Sequence, residues 1–225
     1  MSQPRRPVRT VLLDLDGTLV DSAALITEHL AAAIVEAGAP ARPPAALRPL
    51  VGPPFEEALP ELGLTDEQVA TAITAYRASY DRVAATHTPL FPGVADFLRR
   101  LDGFRLAVAT SKPEHLAVRI VDALGIGGHF ELVGGADHVL GRVGKAAVVG
   151  SVLDRLALDP ASDPVVMVGD RHHDVDGAGA YGVPTIGVAW GYAADGELAG
   201  AALVVAGVTE LEAALRDGPT STDRG

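Results

Sequence analysis

Acidic, hydroxyl and amino side chains stand where short apolar runs end, and their types suit work on an anion. Asp14 and Asp16 lie two residues apart in Asp14-Leu15-Asp16-Gly17, so on an extended strand end they face the same side, and Gly17 lets the chain turn sharply. Such a pair can coordinate a hard cation, which keeps mutual repulsion from raising both pKa values. The plainer reading is a solvated turn, because Asp-Gly is a common turn dipeptide. In Thr110-Ser111-Lys112-Pro113 a hydroxyl precedes a helix whose first turn can hold Pro113, an arrangement that aims donors at an anion or simply caps the helix. Lys145 opens a helix after Gly144, against the helix dipole, and so wants an acidic or phosphate partner. Lysine is confined to positions 112 and 145, arginine doing almost all other cationic work, so the choice of lysine at 145 points to a need for a compact point charge. Asp170 and Asp174 follow the apolar run Val165-Val166-Met167-Val168, where carboxylates are hard to explain as packing. Facing Asp14 and Asp16, they would complete an oxygen-rich site suited to magnesium.

Three other patterns carry less. His172 and His173 are neighbours whose side chains would not converge on one ion, and the chain has no cysteine, so zinc–sulfur, thiolate and disulfide chemistry are excluded. Gly144-Lys145 is followed by Ala146 and lacks the leading glycine at Val139, so it is not a nucleotide-binding P-loop. Gly177 to Gly182 fits Gly-x-Gly-x-x-Gly, but it falls within and at the end of a helix, where it reads as close packing and a stop at Gly182.

The elements that must position these groups are short apolar runs at 8–15, 105–109, 131–133, 164–168, 184–188 and 202–205, alternating with helical patterns at 113–124, 145–156 and 174–181. That alternation predicts an α/β fold, a doubly wound parallel sheet with helices on both faces and the ligand site beyond the carboxyl ends of its strands. From Asp21 to about His87 the pattern is helical only. Ser22 can cap a helix to Ala37, and Thr65 with Gln68 forms a capping-box pattern for a second helix to about Ala85. This all-helical insert returns through Thr88 to Gly93, and the polar tail from Asp217 is expected to lack order.

At 225 residues, 48% hydrophobic and 21% charged, the chain can build one good-sized core. A formal charge of −11, with 18 evenly spread cations, excludes a nucleic-acid-binding face. Asp14 and Asp16 interrupt the apolar run near the N-terminus, and no stretch of roughly 20 apolar residues exists, so neither a signal peptide nor a spanning helix is expected. A cytoplasmic location follows as an expectation.

The string from Asp14 to Ser22 resembles the first signature of the haloacid dehalogenase superfamily, and Thr110, Lys145 and Gly169-Asp170 with Asp174 are similar to its second, third and fourth motifs. The resemblance implies a Rossmann-like core at 1–18 and 89–225 with a small helical cap at 19–88. It implies a phosphatase that uses Mg2+ and a small phosphate monoester. Asp14 would attack phosphorus and Asp16 would serve as general acid and base. Thr110, Ser111 and Lys145 would bind the phosphoryl group, Ser111 replacing the family's usual asparagine. Asp14, Asp16 and Asp170 would hold the metal, with Asp174 supporting. An acid at Asp16 favours phosphoryl transfer over dehalogenation, and the lack of lysine from Asp21 to His87 argues against phosphonate cleavage. Val51-Gly52-Pro53-Pro54 and Trp190-Gly191-Tyr192 are similar to phosphoglycolate phosphatase-like members, some relatives of which take nucleoside monophosphates. Arg42 and Arg48 are then candidate contacts to a substrate carboxylate. A sugar phosphomutase, or a silent binding or regulatory protein, is the alternative function, and a monomer or homodimer without nucleic-acid or membrane partners is expected.

Overall fold

The computed structural model describes residues 8–217. In chain order the elements are β1 (Thr10–Leu13), α1 (Ala23–Glu36), α2 (Phe55–Glu61), α3 (Asp66–His87), α4 (Val94–Arg100), β2 (Arg105–Pro113), α5 (Glu114–Ala123), β3 (Leu132–Ala136), α6 (Lys145–Arg155), β4 (Val165–Gly169), α7 (His172–Gly179), β5 (Thr185–Val188), β6 (Leu203–Val205) and α8 (Val208–Asp217). Short 3-10 turns at Pro44–Leu50 and Gly127–His129 complete them. The tail beyond residue 217, and the basic segment before residue 8, lie outside the described residues.

All six expected strands form one parallel sheet in the order β3-β2-β1-β4-β5-β6. Strand order reverses at β1, which pairs with β2 on one side and β4 on the other. At such a switch point the crossovers leave in opposite directions, opening a crevice beyond the strands' carboxyl ends. Both faces are covered. Val11 and Leu13 of β1 enter one apolar cluster with Phe97, Leu116 and Leu215, while Leu12 enters a second with Val148, Val152 and Met167. The alternation follows from the two-residue period of a strand.

The stretch between β1 and β2 contains no strand of the sheet. In α1 the buried positions Ala23, Ile26, Leu30, Ala33 and Ile34 make one stripe, and in α3 Val69, Ala72, Ile73, Tyr76, Tyr80 and Ala84 make another. Thr65 and Gln68 form the expected capping box at the start of α3. The outgoing and returning connections pair with each other: Val20 bridges Leu90, the Asp21 N–H donates to the Pro89 carbonyl at 2.9 Å and the Phe91 N–H to the Leu19 carbonyl at 3.0 Å. Residues of the insert share one continuous apolar cluster with β1, α4 and α5.

Two local expectations fail. Ser22 does not cap α1 with its hydroxyl; the Ser22 and Ala23 N–H groups donate to the Tyr192 hydroxyl at 2.8 and 3.1 Å, which satisfies the helix start from across the sequence. Strand β2 does not stop at Ala109 but runs to Pro113, with its register against β3 shifted between those residues. Helix α5 therefore begins at Glu114, and Thr110 is part of a strand end.

Candidate active site

Strand β1 delivers Asp14 directly: its N–H continues the ladder to the Val168 carbonyl of β4 at 2.9 Å. Asp170 follows β4, and Asp174 lies in the first turn of α7. Among the described residues these three buried carboxylates form the group able to close on one ion, each offering an oxygen within 4.8 Å of the others. Backbone makes room for them. Gly17, at φ +85°, lies so close to Asp170 that a Cβ would fall 2.2 Å from its Oδ2, and a Cβ on Gly191 would fall 2.3 Å from the Asp170 Cβ. The Asp170 carboxylate accepts the Tyr192 N–H at 2.7 Å and the Thr18 hydroxyl at 3.4 Å.

Lys145, at the start of α6, is buried with its Nζ 2.7 Å from both Asp14 Oδ1 and Asp174 Oδ1 and donating to the Ala109 carbonyl at 3.0 Å. This resolves its unfavourable place against the helix dipole, because the partners are acidic. Gly177 of α7 seats it: a Cβ there would meet the Lys145 Cγ at 2.6 Å and the Ala146 N at 2.9 Å, so this one glycine of the run serves close packing of α6 on α7, while Gly179 and Gly182 face open space.

Electrostatically the group is short of positive charge. Burial pushes the Asp14 carboxyl up to about 7, Lys145 opposing and Asp174 adding to the rise. Burial, then Asp174 and Asp14, drive Asp170 well above the usual carboxylate range. Burial also works against the Lys145 ammonium, but Asp14 and Asp174 overcome it and hold its pKa above the ordinary lysine value. Among the described residues Lys145 is the one Lys or Arg in salt-bridge contact with these carboxylates. Three acids against one ammonium leave two negative charges in excess, which one divalent cation bound by hard oxygens would cancel.

Asp16 takes a different direction from Asp14. Its Oδ2 pairs with the buried Lys112 Nζ at 3.0 Å, and Lys112 in turn donates to the Tyr80 hydroxyl of α3 at 3.0 Å. Of the expected metal set, the side chains of Asp14 and Asp170 join the three-carboxylate cluster, whereas the Asp16 carboxylate stands outside it on Lys112. Thr110, Ser111 and Lys145 line one recess with Asp14, Asp16, Lys112 and Asp174. The sequence patterns did not single out Lys112 as part of the site; its signal was that a chain this poor in lysine keeps both of its lysines buried. Arg171 was also missed. It pairs with Glu197 at 2.6 Å and donates to the Val51 carbonyl at 2.6 Å, tying the insert to the segment after β4.

The haloacid dehalogenase-like hydrolase family matches residues 11–188, a span that holds every residue of this group. The chain belongs to that family. Within the family it is 43% identical over 193 residues to the tyrosine-protein kinase PtkA of Mycobacterium tuberculosis, covering 85% of this chain but only 65% of that protein's length. It is 33% identical over 221 residues to a phosphoglycolate phosphatase of Chromobacterium violaceum, covering 94% of this chain and 98% of the relative. A crystal structure of a predicted phosphatase from Clostridium acetobutylicum superposes with a TM-score of 0.87 at 30% identity, covering 94% of this chain and 100% of that one. The PtkA structure superposes at 0.78 with 39% identity, covering 94% and 99%.

Other expected residues have placements of their own in this family member. Arg42 donates to the Leu62 carbonyl at 2.9 Å and the Arg48 guanidinium lies 5.1 Å over the Tyr192 ring, so neither points at the recess as a carboxylate contact would. His172 is half-exposed on Glu197 at 2.7 Å, while His173 reaches the rim of the recess. Trp190 donates to the Thr18 carbonyl at 3.1 Å, and with Tyr192 it fixes the loop that carries Asp14 and Asp16. Among the described residues no helix is long and apolar enough to cross a membrane.

Proposed function

We propose that this chain is a magnesium-dependent phosphatase that hydrolyses a small phosphate monoester through an aspartyl phosphate on Asp14. The observation that carries the proposal is the convergence of Asp14, Asp170, Asp174 and Lys145 at the reversal point of the sheet. Asp14, Asp170 and Asp174 would hold the metal, which supplies charge neutralisation for the phosphoryl oxygens. An Asp14 carboxylate oxygen attacks phosphorus, the ester P–O bond breaks and the leaving oxygen takes a proton from Asp16. Water then gives a proton to Asp16 and attacks phosphorus, breaking the bond to Asp14 and releasing phosphate. Lys145 holds Asp14 and the phosphoryl oxygens, and the Thr110 and Ser111 hydroxyls donate to them. Asp16 serves both steps because they need opposite protonation states. The helical insert acts as a cap that keeps bulk water from the intermediate. Phosphate release from an aryl phosphate should require added magnesium and stop with chelator; release indifferent to chelator would contradict the proposal.

The 43% identity to PtkA favours a second reading, in which the phosphoryl group on Asp14 passes to a tyrosine hydroxyl instead of water. Incubation with a labelled nucleoside triphosphate and a tyrosine polymer separates the two: label in the polymer supports transfer, and label released only as phosphate supports hydrolysis.

A further inference from the structure

Beside the catalytic recess lies a cavity of about 860 Å³, walled by α2 and α3 of the insert on one side and by β2, α5 and residues 136–144 on the other. Asp16, Gly52, Ser111 and Lys112 line both spaces, so the two meet along a shared wall at Asp16. In the proposed reaction Asp16 protonates the leaving oxygen, and whatever that oxygen carries must extend from this junction into the cavity. We infer that the substrate is a small phosphate monoester whose alcohol is broad and apolar, aromatic in chemistry, and not a short hydroxy acid; the inference rests on the phosphatase reading.

Size comes first. Cavities of about 300–1,000 Å³ hold drug-sized ligands, and this one falls in the upper part of that range, far beyond what a two-carbon acid fills. Wall chemistry agrees. Of the five Phe, four Tyr and one Trp in the chain, Phe55, Tyr76 and Tyr80 gather on one wall. Phe55 packs edge-on to Tyr76 at 4.8 Å between centroids, and Tyr76 stacks on Tyr80 at 5.0 Å. A further aromatic ring can extend such an array by offset or edge contact. Opposite stand Leu116 and Val118, and Val139 at the rim is 95% exposed, an apolar side chain left in water that a bound ring would cover.

The charges on the wall largely answer one another. Five carboxylate side chains line the cavity against three Lys or Arg. Two of those bases are paired already, Lys112 with Asp16 and Arg77 with Glu56 at 3.0 Å each. Glu114 in turn holds Arg142 and Arg155 at 2.8 and 2.7 Å, so most of the wall's charge is already matched and a neutral ring needs no counter-ion there.

The full chain with magnesium should be assayed on naphthylmethyl phosphate, ethyl phosphate and phosphoglycolate. All three leave as aliphatic alcohols, so leaving-group acidity does not mask recognition. Naphthylmethyl phosphate should exceed both others at least about tenfold in kcat/KM, mostly through KM. Phe55→Ala should shrink that advantage about threefold or more, and so should Val139→Asp, whose site is exposed enough to leave folding intact. Equal or better use of phosphoglycolate, or an advantage unchanged in both folded variants, overturns the inference while leaving the phosphatase reading standing. No release from any ester overturns both. Preference for a phosphotyrosyl protein over every free ester overturns the assignment to a small molecule.

Discussion

Replacing Gly17 by alanine should cripple metal binding without touching a ligand atom. At φ +85° any side chain costs about 1–2 kcal/mol in backbone strain. The added Cβ would fall 2.2 Å from Asp170 Oδ2, where ordinary contact begins at 3.4 Å, so the carboxylate must retreat by roughly 1 Å. Asp170 is fully buried and closely approached by Gly191 as well, so retreat stretches its 2.7 Å bond from the Tyr192 N–H and spoils the three-carboxylate geometry. Disturbing the surroundings of a metal ligand typically costs about 10–100-fold in affinity. Titration calorimetry with magnesium should therefore show Gly17→Ala weaker by at least about tenfold, with a melting curve still cooperative. Wild-type affinity in a folded Gly17→Ala protein would refute the role given to this close approach.

Lys112→Met should destabilise the protein by about 2 kcal/mol in urea unfolding, because it strands the partly buried Asp16 carboxylate, whose Oδ1 already lacks a partner. Adding Asp16→Asn should recover part of that loss, and strict additivity of the two would contradict the pairing. With Asp14 pushed up to about 7, a proton competes with magnesium below that pH, so affinity should fall about tenfold from pH 8 to pH 6. Affinity flat over that interval would count against the buried site. Tyr192→Phe removes the hydroxyl that accepts the first N–H groups of α1 and should cost about 1–2 kcal/mol, read from the urea midpoint; no change would remove its capping role.

What was readable in advance followed from local rules. The six strands are apolar runs of Val, Leu and Ile whose pattern needs no partner to be recognised, and the Thr65–Gln68 box lies within one helical turn. Asp14, Asp170 and Asp174 were legible because a carboxylate just past a buried strand has no packing explanation. Tertiary contact decided the rest. Tyr192 caps a helix 170 residues earlier in the chain, and Lys112 finds its hydroxyl partner 32 residues away. No spacing rule connects either pair. The direction of the Asp16 carboxylate depends on that same distant lysine. Helices α2 and α4 escaped because each is only seven residues long, and Pro60 inside α2 argues locally against a helix that packing on α3 nonetheless supports.

In this mechanism Asp14 becomes phosphorylated, and acid quenching traps that state. Protein mixed with magnesium and a radiolabelled phosphate ester, quenched within one turnover and digested, should carry hydroxylamine-labile label on the peptide containing Asp14. Asp14→Asn should carry none and lose turnover on the order of 10³-fold or more. Label on another peptide, or hydrolysis undiminished in Asp14→Asn, would contradict the account.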